Sequence, residues 1–256
     1  MLSHLMTQLF LLATPLGLFP DPLDAQAFGG SQTGDNVNTL PAGDDPLGAY
    51  RAAALERWES DIAKLEELDQ SEVDPQDAIL FIGSSSIRRW ESIAEDMAPY
   101  NPIRRGYGGA RFSDLAVFVE RLVYPHEFQA LVIFVGNDIT GGENDKSPEE
   151  VLRLYDYVVK RVRAKFESQP IFFVAITPTS SRFSGWHRVQ SMHRIVREYS
   201  DQNPQLHFID TAAQFLKSDG KPNDSLFVKD RLHLNAMGYD VWAEIIKQAL
   251  KDAKLE

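Results

Sequence analysis

Short, wholly apolar runs alternate along this chain with longer stretches in which apolar residues recur every three or four positions. Ala78–Ile82, Ala130–Val135 and Ile171–Ile176 are runs of the first kind; Leu206–Ile209 is a short strand-like run that includes His207, and Ile103 begins a short strand running into Arg105-Gly106. Mostly apolar on both faces, they read as strands of a parallel sheet covered on both sides. The helical spacing is seen in Tyr50, Ala54, Trp58, Ile62 and Leu65, and in Ile87, Trp90 and Ile93. It returns in Leu115, Phe118, Val119 and Leu122, in Leu154, Val158, Val162 and Phe166, in about 186–200, and in Trp242, Ile245, Ile246 and Ala249.

Helix starts are marked by residues that satisfy free N–H groups. Asp45-Pro46 opens the first helix, Ser113 or Asp114 the helix after Ile103, and Asp210 a short helix to about Leu216. Ser147-Pro148-Glu149-Glu150 reads as a capping box, and Asn235 or Ala236 begins the last helix. Strands alternating with helices predict one α/β domain: a three-layer α/β/α sandwich around a doubly wound parallel sheet of about five strands, with right-handed crossovers.

Composition narrows the function more than the fold. The chain has 256 residues, 43% hydrophobic and 25% charged, which suits a full globular core. Its formal net charge of −11 argues against a nucleic-acid partner and against docking on anionic lipid. There is no cysteine, so disulfides, thiolate metal sites and thiol catalysis do not arise.

Residues 1–28 read as an export leader, with an apolar stretch from Leu9 to Phe19 and Ala25-Gln26-Ala27 as an A-x-A cleavage pattern. Its n-region has no Lys or Arg, and Pro15 and Gly17 interrupt a run too short for a stable membrane span. Export would send the protein to the periplasm or outside the cell; the competing reading is a soluble extension on a cytoplasmic protein. Residues 29–45, rich in Gly, Asn, Asp, Thr and Pro, read as a flexible linker. The domain is expected over 46–256.

The C-terminal ends of parallel strands share one edge, where open α/β sheets place their ligands. That edge should gather Ser84, Ser85 and Ser86 after strand one and the Gly108-Gly109 turn after strand two. Asn137 after strand three and the late loop Asp230-Arg231-Leu232-His233 complete the set. These are the parts of an acyl-transfer site. A serine can attack, a histidine can take its proton, and an acid can orient the imidazole. Backbone N–H groups and an amide can hold an oxyanion, and a residue without Cβ lets substrate approach its N–H closely. On these grounds alone the three serines are equivalent.

The same residues resemble the SGNH or GDSL hydrolases. The first family block, Gly-Asp-Ser, corresponds to Gly83-Ser84-Ser85, and the second to Arg104-Arg105-Gly106-Tyr107-Gly108-Gly109. The third, Gly-x-Asn-Asp, corresponds to Val135-Gly136-Asn137-Asp138, one residue shorter, and the fifth, Asp-x-x-His, to Asp230 and His233. Ser84 stands in place of the usual Asp, as in a Gly-Ser-Ser branch of the family. The resemblance covers about 75–250 and implies a flavodoxin-like fold. It implies Ser85 as nucleophile, His233 as general base and Asp230 as its orienting acid, with an oxyanion hole of the Ser85 and Gly109 N–H groups and the Asn137 amide. It leaves Ser86 as the helix cap. No metal or organic cofactor is implied. The expected activity is hydrolysis of carboxylic esters, small-molecule or carbohydrate, with O-acetyl groups on carbohydrate the first class to test. Alternatives are a secreted glycan-binding domain without catalysis, or acyl transfer to an acceptor other than water.

Other polar residues have simpler readings. His187 and His193 are expected on a solvated helix face, while His126 and His207 have no partner pattern. Asp145, Asp219 and Asp224 lie in polar loops and are expected to be solvated. Trp90 and Trp242 fall on apolar faces and are expected in the core. Arg88, Arg105, Arg111 and Arg182 either line a pocket for an acidic or sugar substrate or, taken singly, lie on the surface.

Overall fold

Five parallel strands form the centre of the molecule in a computed structural model that describes residues 45–255. The leader expected over 1–28 lies outside the described residues, as does the linker over 29–45 apart from Asp45. The strands are β1 (Ala78–Gly83), β2 (Asn101–Gly106), β3 (Ala130–Phe134), β4 (Ile171–Val174) and β5 (Leu206–Ile209). Their order is β2-β1-β3-β4-β5, with Leu80 beside both Ile103 and Leu131, and Phe173 between Ile133 and Phe208. The order reverses between β1 and β3, which opens a crevice beyond their C-terminal ends.

Alternate strand residues serve the two faces. Leu80, Ile82, Leu131, Ile133 and Phe173 pack under α1 (Gly48–Ser71), α4 (Phe112–Val123), α5 (Pro148–Arg163) and α6 (Trp186–Asp201). Ile79, Phe81, Val132, Phe172 and Val174 pack under α2 (Ser85–Arg88), α3 (Ile93–Asp96) and α7 (Ala236–Asp252). This is the expected three-layer α/β/α architecture. Among the described residues, no helix is long and apolar enough to cross a membrane.

Most helix starts follow the sequence signals. The Ser147 hydroxyl accepts the Glu150 N–H, and the Asn235 side chain accepts the Gly238 N–H. Glu150 does not close a capping box; its carboxylate accepts the Tyr50 hydroxyl instead. Asp45 accepts the Leu47 N–H in a turn ahead of α1, which starts at Gly48 rather than at Pro46. At α4 the cap position is Arg111, and Asp114 contributes by accepting the Arg111 N–H.

The segment after β1 departs further from expectation. One helix through Ile87, Trp90 and Ile93 is predicted, and two four-residue turns, α2 and α3, are found. The Arg104 guanidinium takes the Arg88 carbonyl at 2.8 Å, and Asp96 accepts both the Trp90 indole N–H and the Ser92 hydroxyl. Across the break the Trp90 and Ile93 N–H groups bond only three residues back, to the Ile87 and Trp90 carbonyls, yet Ile87, Trp90 and Ile93 still share one buried cluster.

Candidate active site

Gly83 ends β1 with φ of +139°, and a Cβ there would fall 1.9 Å from the Phe134 carbonyl oxygen. Only glycine has both the conformational freedom and the absence of bulk for this turn. The Ser84 N–H then donates to that same Phe134 oxygen at 2.9 Å, locking the turn to β3. Ser84 occupies the cap position of α2, so Ser86 is not the cap, and Ser85 is the first residue of the turn. The Tyr239 hydroxyl donates to the Ser86 carbonyl at 2.8 Å, and Tyr239 stacks on Trp90, so α7 holds α2 in place.

The late loop is tied as firmly. Phe227 and Leu234 form an antiparallel bridge, and the Val228 N–H donates to the His233 carbonyl. Between them Arg231 takes a left-handed φ of +55°. That turn lets one Asp230 oxygen accept the N–H groups of Leu232 and His233, both at 2.9 Å. The other oxygen lies 2.7 Å from His233 Nδ1, and His233 Nε2 lies 3.0 Å from Ser85 Oγ. With the ring proton on Nδ1, shared with the carboxylate, Nε2 presents its lone pair to the serine hydroxyl. Partial burial would raise the Asp230 carboxyl, but the bonds from the His233 ring and from two backbone N–H groups outweigh it and bring the pKa down to about 2.

Ser85, Asn137 and His233 line one cavity with a free volume of about 40 Å³. Its apolar wall includes Phe134, Ile139, Ile176 and Val189, and Trp242 reaches it while donating its indole N–H to Thr177. The Asn137 amide donates to the Ala110 carbonyl at 2.8 Å, which leaves its second N–H for a ligand. Gly109 is not among the residues lining this cavity. It lies on the adjacent β2–α4 turn, where a Cβ would meet nothing within 4 Å, whereas at Gly108 it would strike the Trp58 ring at 1.8 Å. Of the paired glycines, Gly108 is needed to admit the Trp58 ring of α1, while the space beside Gly109 is open.

Several polar residues differ from their sequence reading. His193 is buried, not solvated; its Nε2 accepts the Ile176 N–H at 2.9 Å, and burial pushes its pKa down to about 4. His126 has partners after all, lying against Asp74 and Asp69 under α1. Asp145 is enclosed rather than solvated, accepting Thr140 and Gly141 N–H groups beside Arg188. Asp138 is buried beside Asn137, where its carboxylate accepts the Phe112 N–H. Arg105 is buried and bridges Asp69 and Glu72, away from the cavity, while Arg88 is exposed. Of the four arginines singled out, Arg182 lines the cavity.

A doubly wound sheet that brings hydrogen-bonded serine, histidine and aspartate side chains to its switch point has the layout of a serine hydrolase. The chain belongs to the GDSL-like lipase/acylhydrolase family, whose model matches residues 81–241. It is accordingly a hydrolase acting on ester bonds. No curated protein matches the sequence. Among solved structures, a protein from Streptococcus pneumonia is similar at 20% identity, with a TM-score of 0.68 over 78% of this chain and 95% of its own. A GDSL-like lipase from Bacteroides thetaiotaomicron is 17% identical, with a TM-score of 0.63 over 76% of this chain and 98% of its own. The acetyl xylan esterase AlAXEase is 22% identical, with a TM-score of 0.56 over 68% of this chain and 99% of its own.

Proposed function

We propose that this protein is a serine esterase for short acyl esters, with Ser85, His233 and Asp230 as its triad. The observation that carries the reading is the unbroken chain of hydrogen bonds from Ser85 Oγ through His233 to Asp230, at 3.0 and 2.7 Å. His233 Nε2 takes the serine proton as Oγ bonds to the ester carbonyl carbon. The imidazolium then gives that proton to the departing alcohol, leaving an acyl-serine. Water, deprotonated by the same Nε2, attacks the acyl carbon, and the proton returns to Ser85 as the acid leaves. Asp230 keeps Nδ1 protonated and stabilises the imidazolium while both intermediates exist.

The oxyanion hole in this reading comprises the N–H groups of Ser85 and Gly109 and the free amide N–H of Asn137. Ser85 is in the first turn of α2, where N–H groups have no intrahelical acceptor. One such donor is worth on the order of a hundred- to a thousandfold in rate.

Acetyl esters of carbohydrate are the class we infer. The fold likeness to an acetyl xylan esterase supports that class without carrying it. The test is kinetic. Aryl acetate hydrolysis should fall by about four to six orders of magnitude in Ser85→Ala, and in wild type kcat/KM should drop steeply from acetate to butyrate to octanoate. Retained turnover in Ser85→Ala sinks the assignment, and a preference for octanoate sinks the short-acyl reading.

A further inference from the structure

Arg182 is the one permanently charged residue lining the cavity that holds Ser85 and His233, and no carboxylate lines it. It reaches there from the 3-10 turn Ser180–Gly185 after β4, with a φ of −127° that departs from the helical values around it. Its guanidinium has five N–H donors. Nη1 donates to the Gly136 carbonyl at 2.8 Å, and among the described residues Arg182 makes no ion pair. The carboxylate whose charge acts on it most, Asp145, is held by Arg188 at 3.2 Å and by the Thr140 and Gly141 N–H groups. A second guanidinium, that of Arg111, adds to the positive potential felt at Arg182. Burial of an unpaired charge is costly, and it is relieved when an anion completes the pair.

We infer that Arg182 forms an anion subsite beside Ser85, so that the preferred ester carries a carboxylate or another fixed negative group on its alcohol portion. This rests on the reading of Ser85 as the nucleophile. The planar guanidinium, anchored through Nη1 to Gly136, can offer its remaining N–H groups to two oxygens of one anion at once. A neutral polyol would use the same donors without neutralising the charge, so discrimination should follow charge and not merely hydrogen-bonding capacity.

The test pairs 4-acetoxybenzoate with its neutral methyl ester. The ratio of their kcat/KM values should fall tenfold or more from wild type to Arg182→Gln and be largely kept in Arg182→Lys. Comparing ratios between proteins cancels the different intrinsic reactivity of the two phenols. Loss of both substrates in equal proportion would mean that Arg182 only positions Gly136 and Asn137, and would overturn the subsite. An unchanged ratio would do the same. A binding measurement separates this inference from the ester chemistry: by isothermal titration calorimetry, wild type should bind 4-hydroxybenzoate more tightly than methyl 4-hydroxybenzoate. If neither ester turns over yet that preference holds, the esterase reading fails and the subsite stands. If the two phenols bind alike, the subsite is wrong whatever the turnover.

Discussion

The Asn137 side chain is bound to the Ala110 carbonyl at 2.8 Å, which ties the end of β3 to the turn that carries Gly109. In the proposed oxyanion hole, two donors from different loops are thereby tied together by a single bond. The third block is one residue short of the family pattern, and this bond holds the amide at the cavity all the same. Asn137→Ala should lower kcat on aryl acetates by about 10²–10³-fold with little change in KM, because the lost interaction belongs to the transition state. Steady-state kinetics check it; a change confined to KM would contradict the role.

Gly83→Ala should fail to give a native protein, because the added Cβ meets backbone and not a movable side chain. A destabilisation beyond about 4 kcal/mol is expected. Soluble expression and thermal unfolding report the outcome, and a variant melting within a few degrees of wild type would contradict the packing described for this turn.

His193 and Asp138 should tilt stability in opposite directions with pH. The folded pKa of His193, about 4, is below its ordinary 6.5, so its contribution is full above pH 6.5 and is lost as pH falls towards 4. Asp138 is raised from 3.8 to about 7, chiefly by burial, against the Phe112 N–H bond and the Lys146 charge that lower it. Its contribution is full below pH 3.8 and is lost as pH rises through 7. At 1.36 kcal/mol per unit these are about 3 and about 4 kcal/mol, nearly cancelling over one window. Urea unfolding of His193→Gln should therefore show stability rising as pH falls from 7 to 4, and Asp138→Asn should show it falling. Parallel profiles in both variants would contradict the assignment.

Asp230→Asn should lower kcat by about 10⁴-fold at neutral pH without loss of fold. An amide cannot fix the His233 tautomer as a carboxylate does. The carboxyl pKa of about 2 keeps the group ionised across the working range, so the wild-type acid limb should not come from Asp230. Activity of Asp230→Asn near that of wild type would contradict its role.

The sheet was legible because its three central strands, β1, β3 and β4, are apolar and buried on both faces and end in glycine, proline or polar breaks. The site was legible because parallel strands bring their C-terminal ends to one edge, so motifs far apart in sequence had to meet there. What escaped depended on side-chain geometry. The break between α2 and α3 coincides with the Arg104 guanidinium donating to the Arg88 carbonyl and with Asp96 accepting from the Trp90 and Ser92 side chains, which periodicity does not register. His193 left a signal in its spacing: Val189, Met192, His193 and Val196 share the buried face of α6. Two neighbouring arginines in the sequence had obscured it. Arg182 was one of four arginines named as pocket candidates, and nothing in its aperiodic loop separated it from the other three; its cavity exists only once β3 and β4 are side by side.

The most direct measurement of the central claim is the site and rate of labelling by a fluorophosphonate, followed by peptide mass mapping. One adduct is predicted, on Ser85, with labelling slowed at least a hundredfold in His233→Ala because the serine proton then has no acceptor. An adduct on Ser84 or Ser86, or labelling of Ser85 at an undiminished rate without His233, would contradict the account.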